Sequence, residues 1–208
     1  MYSYYEQTFI HNKVDMPRTE EQWQALRDES RERLLHSALH LFAQHGYAAA
    51  TIRSIAREAG VSLGLVYNYF PGKEALLLAI FEQSMADVQA SFAQAREAEG
   101  DPLAAILQAS TRIVRNNRDF WRLSYGLRFQ SALPEELAGS LAEWSTAILW
   151  QLTELLALRK VAHPELEARV LFALIDGICQ HDTLDPEHYP LDDVLAAALK
   201  RFQPRRTS

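Results

Sequence analysis

The chain has 208 residues, 48% of them apolar, and a formal net charge of −6 at pH 7, enough for one large domain or two small ones with a real core. Its single cysteine, Cys179, excludes an intramolecular disulfide framework and a cysteine-rich zinc site, so a reducing, cytoplasmic setting is expected. No run of about eighteen apolar residues occurs, and Met1 to Val14 lacks a basic start followed by an apolar core, so neither a membrane-spanning helix nor a secretory signal is expected.

Residues 1–17 hold four aromatics but no sustained period, which predicts a flexible arm, with Met16-Pro17 offering an alternative start. From about Glu20 to Gln44 the chain predicts a long helix, with Leu34, Leu35, Ala38, Leu39, Leu41 and Phe42 on its buried side and Gly46 as its stop. His36 and His40, four apart, could share a face as metal ligands. No third ligand and no HExxH pattern accompanies them, so no metal is expected.

The stretch Thr51 to Leu76 reads as two short helices joined by a glycine turn. Ile52, Ile55, Ala56 and Ala59 fall on one face of the first, which Thr51 caps and Gly60 ends. Val61 plugs the corner, and Ser62 caps a second helix anchored by Val66 and Phe70. Leu63, Gly64, Leu65, Tyr67, Asn68 and Tyr69 then look outward or flank the buried side. A surface so apolar and aromatic needs a partner, and the geometry is that of a DNA-reading device.

The acidic sum argues against nucleic acid, but the distribution does not. From Arg31 to Ala75 five basic residues face three acids, a balance of +2, whereas from Leu76 onward 13 basic residues face 18 acids, or −5. The tyrosine-rich arm could touch DNA as well, although up to residue 16 its only cation is Lys13.

Pro71-Gly72 breaks the chain and Lys73 opens a helix to about Glu97, in which Leu77, Phe81, Met85, Val88 and Phe92 recur at spacings of three and four. The start of this helix, with Lys73 beside it, suits a phosphate. Prolines 102, 134, 164 and 190 then divide the body into predicted helices at 102–116, 119–131, 135–159, 164–181 and 190–203. No alternating apolar run is bounded by hairpin turns, so the fold class is all-α with about nine helices.

An apolar-Ala helix, a Gly-Val-Ser turn and then LVYNYFPGKEAL resembles the DNA-binding domain of the TetR family of transcriptional regulators. The resemblance implies a helix-turn-helix domain at 18–76, a ligand-binding and dimerisation domain at 77–203 and a tail at 204–208. It implies that Ser62 to Tyr69 is the recognition helix in the major groove. Leu63 and Leu65 would meet thymine methyls, Gly64 would allow close approach, and Asn68 would bond a base or a phosphate. Thr51, Tyr67, Tyr69 and Lys73 would clamp the backbone, and Arg53 would reach a phosphate or a guanine. Many relatives carry Lys or Arg at the place of Leu63 and a small or hydroxylated residue at that of Leu65, so an operator cannot be borrowed. The family further implies a repressor that binds palindromic double-stranded DNA as a homodimer and is released by a small-molecule effector, with no cofactor.

Within the body, Trp121, Tyr125, Phe129, Trp144 and Trp150, joined by Phe81, Met85, Phe92 and Arg128, form an aromatic and polar set suited to an effector pocket. Any one of them alone reads as ordinary core. Leu171, Leu174, Ile175 and Ile178, followed by Leu191, Val194, Leu195, Leu199 and Phe202, predict half of a four-helix dimer interface, with Ala173 and Gly177 permitting close approach.

Two readings from other classes compete. Cys179 and His181, two apart on a helix, point to different faces, and no phosphate loop or nucleophile elbow accompanies them, so an enzyme is not expected. A helical protein-interaction adaptor without specific DNA binding would show an eroded reading head, whereas Thr51, Gly60, Ser62, Tyr67 and Lys73 are all in place.

Overall fold

Capping side chains and glycines set most of the helix boundaries in the first third of the chain. The computed structural model describes residues 19–97, 99–128 and 133–202, and among them it contains nine α-helices and no strand. The expected arm, 1–17, the tail, 204–208, and Phe129 lie outside the described residues.

Helix α1 (Glu20–His45) starts at a capping box in which Thr19 Oγ1 accepts from the Gln22 N–H and Gln22 Oε1 accepts from the Thr19 N–H. It ends at Gly46, whose φ of 82° costs a residue without Cβ little. Helix α2 (Ile52–Glu58) repeats the device with Thr51 and Ser54. Gly60, at φ 67°, turns the chain so that the Val61 N–H reaches the Ala56 carbonyl at 3.0 Å. Helix α3 (Leu63–Tyr69) is capped by Ser62 Oγ, which accepts from the Leu65 N–H. Leu34, Leu35, Ala38 and Phe42 of α1 meet Ile55, Ala56, Val66 and Phe70 in one buried cluster, and this small core fixes α3 against α1.

Helix α4 (Lys73–Glu97) packs on both α1 and α5 (Pro102–Asn116), so it is common to the reading head and the body. Asp101 caps α5 through its Oδ1 and the Leu103 N–H, with Pro102 in the first turn. The body is completed by α6 (Arg118–Leu127), α7 (Glu135–Leu158), α8 (Pro164–Leu184) and α9 (Leu191–Arg201). Helix α8 packs on α7, α5, α6 and α9, which puts it at the centre of the body.

Helix α8 runs to Leu184 rather than 181, and α6 ends at Leu127, with 129–131 of its expected stretch outside the described residues. The added turn of α8 is held from the side. Asp182, only 2% exposed, receives Arg115 Nε at 3.0 Å and Arg115 Nη2 at 2.8 Å, an ion pair tying α8 to α5. Thr183 Oγ1 donates to the Cys179 carbonyl.

Six of the nine residues expected at a dimer interface belong instead to the core of the protomer. Leu171, Ile175, Ile178, Leu191, Leu195 and Phe202 are buried inside the protomer, while Leu174, Val194 and Leu199 are half-buried against its core. Both faces of α8 are apolar enough to be buried, and periodicity alone does not say which turns inward. The outer face of α8 carries Leu166, Val170, Ala173, Gly177, Gln180 and Leu184, at alternating spacings of four and three; Leu166 (60%), Ala173 and Leu184 (73%) are exposed, and Val170, Gly177 and Gln180 are half-buried.

Candidate functional site

The reading head presents most of the residues that the sequence nominates. On α3, Val66 is fully buried as the anchor, while Leu63, Gly64, Asn68 and Tyr67, the last 53% exposed, lie on the open side. Arg53 is exposed on α2, and Thr51 and Ser62 are exposed caps. Leu65 and Tyr69 are half-buried. Together with Asn68 they form one wall of a groove whose other wall is Trp23, Leu26, Arg27 and Ser30 of α1. The sequence reading missed this contribution of α1, because an exposed Trp and Arg at the start of a helix carry no periodic signal.

Lys73 takes a different place from the phosphate clamp expected of it. Its ammonium donates to the carbonyls of Tyr47 at 2.7 Å, Ala50 at 3.1 Å and Ala48 at 3.3 Å, and lies 4.3 Å from the Tyr47 ring centroid. An ammonium has three donors, and all are used. Lys73 therefore closes the loop between α1 and α2 from the first turn of α4. Nothing in the local sequence predicts this contact, which joins residues 23 to 26 apart.

In the body, α4, α5, α6, α7 and α8 line a partly open cavity of about 90 Å³. Of the expected effector residues, Met85, Phe92, Trp121, Tyr125, Arg128 and Trp144 line it. Phe81 does not. It is buried behind the wall, stacked on Trp144 with ring centroids 6.4 Å apart and edge-on to Phe120 at 4.9 Å. Trp150 is 61% exposed and away from the lining.

The lining also includes residues outside the expected set, among them Val88, Ile113, Phe172, Asp176 and Cys179, together with Ile175, a residue expected at the dimer interface. Asp176 was detectable, since it is the one acid inside the apolar run of α8. It accepts from Arg128 Nη1 at 2.6 Å, and the Arg128 guanidinium also lies 4.9 Å from the Tyr125 ring centroid. Burial first, then the neighbouring Asp176 and Asp182 carboxylates, pushes the Cys179 thiol up to about 12. The Tyr125 phenol is also raised far above its ordinary value, by burial first and then by Cys179 and Asp176, so it remains a neutral O–H.

Among the described residues no group of three or more His, Cys, Asp or Glu could hold a metal ion, and no helix is long and apolar enough to cross a membrane. His36 is exposed, and His40 lies 3.6 Å from Asp119 of α6.

A family model described as bacterial regulatory proteins, tetR family, matches residues 34–80, and one described as tetracyclin repressor-like, C-terminal domain, matches residues 87–205. The HTH-type transcriptional regulator BetI of Stenotrophomonas maltophilia is 31% identical over 168 residues, 71% of this chain and 78% of that one. The uncharacterized HTH-type transcriptional regulator YerO of Bacillus subtilis is 47% identical over 55 residues, 26% of this chain. The alignments with YerO and the similar YuxN and YxaF span only 19%, 18% and 42% of those relatives' lengths. Among solved structures, the fatty acid degradation regulator FadR of Bacillus halodurans superposes with a TM-score of 0.72 at 22% identity over 83% of this chain and 94% of that one. FadR of Bacillus subtilis in complex with stearoyl-CoA gives 0.70 at 20% identity, covering 85% and 99%, and a SmeT–triclosan complex gives 0.68 at 21%, covering 84% and 90%. At these identities the structural neighbours show the fold.

Proposed function

The chain belongs to the TetR family of bacterial transcriptional regulators, with a helix-turn-helix DNA-binding domain, and from that premise we propose that it is a homodimeric repressor that leaves its operator when a small molecule enters the body. The observation that carries the reading is the pairing of two features joined by helices packed on α1. An outward recognition face on α3 sits at one end, and a largely apolar cavity bordered by α6 sits at the other.

Dimerisation follows from the operator. Two recognition helices must stand about one DNA turn, or a multiple, apart to read a palindrome, which one protomer does not provide. The open α8 face, Leu166, Val170, Ala173, Gly177, Gln180 and Leu184, supports a second copy there. Its 3-4 spacing is that of helix-bundle seams, and Ala173 and Gly177 let two backbones approach closely.

Regulation runs through α6. This helix carries Trp121, Tyr125 and the neighbouring Arg128 to the cavity, and it packs directly on α1 of the reading head, with Asp119 beside His40. A ligand that enlarges the cavity displaces α6 or α4 and with it α1 and α3. It shifts the equilibrium by its differential affinity for the two states. The ligands held by the FadR and SmeT neighbours support the presence of an effector and do not identify it.

The test is selection of bound sequences from a random duplex pool at two salt concentrations, with and without a cellular metabolite extract. A palindromic motif whose binding weakens with salt, and is lost with extract, is the expected result. No enriched motif at either salt returns the protein to the adaptor reading.

A further inference from the structure

Arg128 is the exposed member of the cavity lining; every other lining residue is buried or half-buried. The cavity therefore meets solvent beside it. Its guanidinium already sits as a guest cation would. Nη1 donates to Asp176 Oδ2 at 2.6 Å, and Cζ lies 4.9 Å from the centroid of the Tyr125 ring, which is itself 5.9 Å from that of Trp121. A carboxylate beside an aromatic face is the arrangement that holds an organic cation.

The two partners of the pair are held unequally. Arg128 follows the last residue of α6, its side chain is 41% exposed, and the bond to Asp176 is the one side-chain hydrogen bond it donates among the described residues. Moving it into water forfeits an exposed ion pair, a factor of about five at most. Asp176 lies within α8, its side chain 28% exposed, and stays on the wall whichever cation faces it. After burial, its carboxylate is among the causes that hold the Cys179 thiol and the Tyr125 phenol above their ordinary values, so this side of the wall favours positive charge. An anion drawn to Arg128 would share one guanidinium with Asp176, like charge beside like charge, whereas a cation drawn to Asp176 leaves the carboxylate matched and Arg128 hydrated. Beyond the pair the lining is largely apolar, with Met85, Val88, Phe92, Ile113, Leu141 and Phe172, so it suits an apolar body behind the charge.

We propose that the cavity takes an organic cation, an ammonium group on an apolar body, whose charge replaces the Arg128 guanidinium between Asp176 and Tyr125 while Arg128 turns out into water. The inference rests on reading this cavity as the effector site.

The experiment is isothermal titration of the full chain, without DNA, against three probes of one length at neutral pH: hexylammonium, hexanol and hexanoate. Hexylammonium is expected to bind at least about fivefold more tightly than hexanol, the combined scale of a partly exposed ion pair and a cation over a ring, and hexanoate more weakly than either. Asp176→Asn should abolish the advantage of hexylammonium over hexanol. Arg128→Met should tighten hexylammonium by about two- to fivefold, because it removes the competing cation. Hexanol affinity should be unchanged in both variants, and thermal melts show that both are folded. Hexylammonium that binds no more tightly than hexanol, or hexanoate that binds most tightly, overturns the cation class. An advantage that survives Asp176→Asn overturns the assignment of the carboxylate, and hexylammonium affinity unchanged or weakened by Arg128→Met overturns the displacement. No binding of hexylammonium at millimolar concentration overturns the proposal as a whole. A DNA-release assay on the same proteins separates the two levels, because hexylammonium that binds without releasing DNA leaves the ligand class standing and removes the effector reading.

Discussion

The ammonium nitrogen of Lys73 lies 2.7 Å from the carbonyl oxygen of Tyr47 and 4.3 Å from the centroid of the same residue's ring. One side chain at the start of α4 thus fixes the loop that leads from α1 into the reading helices. Lys73→Met removes three charge-assisted bonds and should destabilise the protein by about 1–3 kcal/mol, since the site is partly solvated. DNA affinity should fall on all sequences, but the slope of log affinity against log salt should not change. A slope reduced by about 0.9 would instead mean that Lys73 reaches a phosphate in the complex. Thermal melts and salt titrations separate the two.

Tyr67, by contrast, stands open on α3. Tyr67→Ala should leave stability within about 0.5 kcal/mol, as for most surface changes. It should weaken operator binding by about tenfold, the scale of one hydrogen bond and its ring contact. Fluorescence anisotropy with a selected duplex measures this, and Tyr67→Phe tells the hydroxyl from the ring.

The Arg115 and Asp182 pair is asymmetric, because the carboxylate side chain is 2% exposed and the guanidinium 44%. Arg115→Ala strands a buried charge at the end of α8 and should cost roughly 2–3 kcal/mol, below the fully buried case because water reaches the arginine side. Urea unfolding checks it. Arg115→Lys should recover only part, since a lysine cannot make the two-pronged contact.

Ala173 is exposed near the middle of the open α8 face. Ala173→Arg should leave the protomer folded and shift sedimentation at micromolar concentration to a monomer, with loss of palindrome binding. A dimer that survives Ala173→Arg places the interface elsewhere.

Cys179 carries a pH signature. Its folded thiol is raised from 9.0 to about 12 by burial and by Asp176 and Asp182. A group whose folded value is raised contributes its stability below the unfolded value and loses it as pH climbs. Stability should therefore decline between about pH 9 and pH 12 in the native protein relative to Cys179→Ala. At pH 8 the native thiol should resist alkylation and become reactive on unfolding, which mass spectrometry follows.

Much of this molecule is legible in one dimension. The N-caps Thr51 and Ser62, the glycine turns at Gly46 and Gly60 and the prolines of the body state helix boundaries in local chemistry, so the nine helices among the described residues and the open face of α3 follow from short stretches of chain. Of the eight expected cavity residues that are described, six line the cavity, because clustered large aromatics are informative even without coordinates. What the local pattern leaves open is orientation among neighbours. Phe81 and Met85 are four apart on α4, yet one lies behind the cavity wall and the other on it. On α8, Leu171, Ile175 and Ile178, expected at a partner, face their own chain. Lys73 was free to serve a phosphate until the fold brought three carbonyls to it. Capping and periodicity are satisfied within a few residues and are therefore written in the sequence. Which of two apolar faces is buried, and where a long cation finds its acceptors, depends on contacts between segments far apart in the chain, and only the packed tertiary structure decides them.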